Sequence, residues 1–75
     1  MSLTREYLRS TEPYRTAVMN GYRIYIENYS NGFKFRVRRR NKETDYSQKI
    51  TTLKQFQEQL IIFIAELENQ KPKWI

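Results

Sequence analysis

The chain contains no cysteine and no histidine. That double absence removes disulfide staples, thiolate nucleophiles, imidazole bases and the usual zinc ligands at once. Glycine and proline are scarce as well, with two of each. Both glycines follow an asparagine, at Asn20-Gly21 and Asn31-Gly32, so no glycine-rich loop is left to cradle a nucleotide phosphate. The longest apolar run, Leu60 to Ala65, falls far short of the roughly 20 residues that cross a bilayer. Met1 to Ser10 mixes charge with its apolar residues and has neither the apolar stretch nor the small-residue cleavage site of a signal peptide. These features predict a cytoplasmic protein that does not enter a membrane.

The chain has 75 residues, room for one domain with a thin core and not for two. Its formal charge of +6 is unevenly placed. Residues 1–50 carry eleven Lys/Arg against five Asp/Glu, and residues 51–75 carry three of each. The whole excess precedes the last predicted helix, and a balance of this sign favours anionic partners through long-range attraction.

Each Asn-Gly pair lies between segments rich in tyrosine, isoleucine, valine and phenylalanine. Asn-Gly tolerates the positive φ angles of a type I′ turn, so the pairs predict two tight hairpins and a meander with strands at 14–19, 22–29 and 33–40. A two-residue Asn31-Gly32 loop opposes Ser30 with Phe33, Glu27 with Arg36, Tyr25 with Arg38 and Arg23 with Arg40. One face then collects Tyr22, Ile24, Ile26, Phe33, Phe35 and Val37, and the other collects charge. Asn41 to Thr44 reads as a loop. Asp45 to Ile50 reads as a shorter fourth strand with Tyr46 and Ile50 on the core side. Thr52, Leu53, Lys54, Gln55 has the form of a capping box, and Leu53, Phe56, Leu60, Phe63, Ile64 and Leu67 recur at helical spacing up to Asn69, before Pro72. Residues 1–12 suit an arm or a short helix, although no cap is evident, and residues 70–75 suit an extended tail. The predicted fold is a two-layer α+β domain: an antiparallel three- or four-stranded meander over 14–50, covered on one face by the amphipathic helix 52–69.

The uncovered face would present Lys34, Arg36, Arg38 and Arg40 along about 20 Å of strand. Arg39 falls on the core side by strict alternation, which predicts that the strand frays there and Arg39 joins the patch. Arg23 adds to it from the neighbouring strand, and Tyr25 and Tyr29 offer rings on which a base or sugar can stack. Such a row suits nucleic acid, in first place duplex DNA. Glu27 in its midst argues the other way, toward an interaction module or inhibitor that docks an acidic protein surface. An alternating charged strand also serves simply to keep an outer face wet and its edges from aggregating.

Ile61 and Ile62 exceed what one helix face needs, which suggests a partner or homodimer interface, with Trp74 on the basic tail as a further anchor; a broad core face accounts for the two isoleucines equally well. No carboxylates or tyrosines pair at a spacing suited to acid–base work, and scattered carboxylates make poor metal ligands, so neither catalytic residues nor a metal or other cofactor is expected.

Over residues 14–69 the order of elements, three antiparallel strands and then one helix, is similar to that of DNA-binding domains of the AP2 type and of the arm-type N-terminal domains of phage integrases. That resemblance implies a sheet seated in the major groove with its outward side chains reading bases. The order is also similar to the double-stranded-RNA-binding domain, whose second helix opens with a lysine-rich run where this chain has Thr52, Leu53, Lys54, Gln55, Phe56.

Overall fold

A computed structural model describes residues 4–29 and 31–69. The elements are α1 (Arg5–Arg9), α2 (Glu12–Met19), β1 (Arg23–Tyr29), β2 (Gly32–Arg39), β3 (Lys42–Glu43) and α3 (Leu53–Asn69). The strands form one antiparallel sheet in the order β1-β2-β3. The expected α+β architecture is present, a three-stranded antiparallel sheet under the C-terminal helix with short helices before it.

The strand expected at 14–19 is instead helix α2. Thr11 enters it in an extended conformation, Glu12 stands in the first turn and Pro13 occupies an opening position. There the missing proline N–H costs nothing, and a negative charge suits the helix dipole. Asn20-Gly21, read as a hairpin turn, ends this helix. Gly21 has φ 88, its N–H donates to the Val18 carbonyl, and the Tyr22 N–H donates to the Ala17 carbonyl. These two bonds satisfy carbonyls that the helix end leaves open. Helix α1 has the cap that its sequence did not advertise, since Thr4 Oγ1 accepts from the Tyr7 N–H at 3.1 Å.

The second hairpin forms, but two residues out of the expected register. Tyr29 pairs with Gly32, Glu27 with Lys34, Tyr25 with Arg36 and Arg23 with Arg38. Gly32 therefore lies in the strand, not in the turn. Its φ is 134 and a Cβ there would stand 2.5 Å from the Ile50 carbonyl oxygen, so the close passage of a third segment demands glycine. A shift of two keeps every side chain on its face. Phe33, Phe35 and Val37 remain buried, as expected.

No fourth strand forms at 45–50. The two-residue β3 comes earlier, and residues 44–50 then run irregularly along β2. Two buried hydroxyls replace the missing strand. Ser47 Oγ accepts from the Phe35 N–H at 3.1 Å, and Thr44 Oγ1 accepts from the Val37 N–H at 3.0 Å. In return the Ser47 N–H donates to the Phe35 carbonyl and the Thr44 N–H to the Val37 carbonyl, while Phe33 and Ile50 exchange both backbone bonds. Ile50 is buried as expected, but Tyr46, expected inside, is 44% exposed, because the irregular path breaks the alternation that would have turned it inward.

Helix α3 begins where the capping box predicts. Thr52 Oγ1 accepts from the Gln55 N–H, and Gln55 Oε1 accepts in return from the N–H groups of Thr51 and Thr52. Its stripe of Phe56, Leu60, Phe63 and Leu67 is buried against Phe33, Phe35 and Val37. Phe35 sits between two rings of the helix, with centroids 4.9 Å from Phe56 and 5.3 Å from Phe63. Leu8 of α1 and Ala17 of α2 complete the same core. The three helices thus share the apolar side of the sheet, and the side bearing Tyr25, Arg36 and Tyr46 is left to solvent.

Candidate nucleic-acid interface

The outward side chains of β2 divide into a neutralised centre and a charged end. At the centre, Arg36 forms an ion pair with Glu43 of β3. Its guanidinium lies 4.8 Å from the Tyr25 ring centre and 5.6 Å from that of Tyr46. The Tyr46 hydroxyl in turn donates to Glu27 Oε1 at 2.9 Å. Desolvation is the largest single influence and works against the charge on Arg36, but Glu43 and Tyr46, by charge and hydrogen bonding together, outweigh it and raise the guanidinium above its ordinary pKa. The hydrogen bond to Glu27, with some desolvation, likewise raises the Tyr46 phenol. Arg36 Nε is buried and has no hydrogen-bond partner among the described residues. Arg36 is thus a strut between β1, β3 and the 44–50 segment, and the Tyr25 ring beneath it is already in use.

At the end nearest β3, Arg23 and Arg38 stand directly opposite each other on the solvent face. Neither forms an ion pair among the described residues. Arg38 Nε donates to the Arg40 carbonyl at 3.0 Å. Arg40 has left the strand and holds the left-handed backbone, φ 57, that turns the chain into β3. An L-residue with a Cβ adopts this conformation at a cost of about 1–2 kcal/mol. Facing like charges on β1 and β2 add a further penalty, which Glu43, opposite Arg38 in β3 but bonded to Arg36, offsets only in part, so three guanidinium-bearing residues gather at some cost to local stability.

Arg39 does not join this group. Strand β2 continues through it, and alternation carries its side chain to the helix side, 5.0 Å above the Tyr22 ring. Lys34 lies across from Glu27. Ile61 and Ile62 are 62% and 57% exposed, and Ile61 lines a groove between α2 and α3 of about 540 Å³ with Pro13, Ala17, Leu60 and Ile64. Trp74 and the side chain of Tyr29 lie outside the described residues.

Four residues that sequence reasoning left aside complete the arrangement. Glu43 and Tyr46 lock Arg36. Arg5 and Arg9 of α1 add positive charge along the outer edge of β1, in a cleft that also holds Tyr25, Glu27 and Arg36. Only Glu43 left a sequence signal: a hairpin placed immediately after Arg40 sets it opposite Arg38, with Arg36 the next residue along the same face. Among the described residues no cluster of three histidines, cysteines or carboxylates is able to hold a metal ion. None of their helices is long and apolar enough to cross a membrane. No protein-family model, curated protein or solved structure matches this chain.

Proposed function

We propose that the chain is a non-enzymatic binding protein that holds nucleic acid, in first place duplex DNA, through phosphate contacts from Arg23, Arg38 and Arg40. The observation that supports this reading is the cross-strand pair of Arg23 and Arg38, which forms no ion pair among the described residues even though Glu43 stands opposite Arg38 in β3, and which is flanked by the left-handed Arg40. Groups set against their own stability are a mark of ligand sites, and a phosphate between the guanidinium groups removes the repulsion and accepts their hydrogen bonds. A cytoplasmic site of action is part of the same reading.

Salt dependence tests it. Three neutralised phosphates give a log–log slope of about −2.7, at roughly −0.9 per phosphate for duplex DNA. Arg38→Ala should flatten the slope by about 1, whereas Arg36→Ala should leave it unchanged because that charge is already spent on Glu43. A slope near zero, or equal flattening by both variants, overturns the proposal.

The pairing of Arg36 with Glu43 also favours a second reading, in which this face docks an acidic protein. It removes the middle of what would have been a continuous phosphate track. A pull-down with and without nuclease separates the two, since a protein partner retained after nuclease, with no shift of any oligonucleotide, selects the adaptor.

A further inference from the structure

Strand β1 is an edge strand, and its hydrogen bonds reveal which of its backbone groups are unused. Phe33, Phe35 and Val37 each direct both N–H and C=O toward the 44–50 segment. Their partners across the first ladder, Asn28, Ile26 and Ile24, must therefore direct theirs away from β2, since antiparallel ladders alternate bonded and non-bonded pairs. The Ile26 carbonyl bears this out, because it accepts from Arg5 Nη2 at 3.0 Å. Among the described residues a side chain, not a strand, occupies the edge. Between α1 and this edge lies a cleft of about 360 Å³, walled by Arg5, Arg9, Tyr14, Ile24 and Ile26, with Glu27 the one carboxylate among the described residues that line it.

We propose that this edge is a docking site for an extended acidic peptide of another protein, which adds to the sheet beside β1. The peptide backbone would bond Ile24 and Ile26 in the spacing of a new strand, displacing the Arg5 guanidinium from the Ile26 carbonyl. The choice of partner rests on charge. Arg5 and Arg9 from α1 border the edge and favour carboxylates, while half-buried Ile24 and Ile26 continue an apolar face that suits alternate aliphatic side chains. The proposal concerns a surface separate from the Arg23, Arg38 and Arg40 group and stands independently of the nucleic-acid reading.

The test uses the full chain and a capped nine-residue peptide alternating valine with glutamate, followed by amide hydrogen exchange. A saturating peptide should slow exchange at Ile24 and Ile26 by at least tenfold and leave the amides of Lys34 and Arg36, already bonded within the sheet, unchanged. The same peptide N-methylated at every residue should not bind. Arg9→Glu, at an exposed helical position, should weaken the parent peptide at least tenfold. The proposal is overturned if Ile24 and Ile26 gain no protection, if N-methylation has no effect, or if a valine–lysine peptide binds as well. It is equally overturned if the two amides become protected by raising the protein concentration alone, which would make the occupant a second copy, or by duplex DNA.

Discussion

Ser47→Ala removes one oxygen and leaves an N–H group stranded in the core. Ser47 is 6% exposed, and its Oγ accepts from the N–H of Phe35, a residue with no exposed surface. Strand β1 offers no substitute, because the Phe35 backbone points toward the 44–50 segment. A buried donor left without an acceptor costs about 1–3 kcal/mol. Against a total stability of about 4–11 kcal/mol for a chain of this length, at roughly 0.05–0.15 kcal/mol per residue, that loss is large. A loss near 2 kcal/mol should lower Tm by about 8–16 °C. In urea the midpoint should fall while the slope m stays constant, since the surface exposed on unfolding hardly changes. Thr44→Val makes the same test at the Val37 N–H with side-chain shape retained, and should cost about as much. Gln48→Ala, an exposed neighbour, should stay within about 0.5 kcal/mol of the parent. If Ser47→Ala and Thr44→Val are both that mild at unchanged m, the two hydroxyls do not stand in for a strand.

Other expectations follow from single contacts. Gly32→Ala meets the Ile50 carbonyl at a φ that suits only glycine, and should destabilise by about 1–3 kcal/mol in a urea melt. Arg40→Gly should relieve left-handed strain and raise stability by up to about 1 kcal/mol while weakening DNA binding at low salt, a split that a merely structural arginine would not produce. Thr52→Ala removes the oxygen that accepts from the Gln55 N–H and should cost about 1 kcal/mol. The Tyr46 phenol is raised by its bond to Glu27, so the stability it contributes is complete below the ordinary tyrosine range and is lost as pH climbs through and above about 10. The stability gap between the parent and Tyr46→Phe should therefore be wider at pH near 8 than at pH near 11.

What the sequence alone could determine rests on periods and local hydrogen bonds. Alternation along 33–37 assigned Phe33, Phe35 and Val37 to the core, and that assignment survived a register error because a shift of two preserves faces. Helix α3 was legible from Thr52 to Asn69 because both halves of its capping box lie within four residues and its stripe repeats every three or four. Asn20-Gly21 was ambiguous for a physical reason: the same positive φ that closes a type I′ hairpin also closes a helix, and only the placement of Ala17 in the core made it the latter. The register of β1 against β2 was settled by the approach of Ile50 to Gly32, a contact eighteen positions away in the chain. The basic row changed most. Its members were visible as residue types, but their charge was apportioned by tertiary contacts, with Glu43 neutralising Arg36, alternation through an unfrayed strand taking Arg39 to Tyr22, and the hairpin register setting Arg23 against Arg38. Charge belongs to the sequence; whether it is neutralised depends on which carboxylate the fold brings within reach.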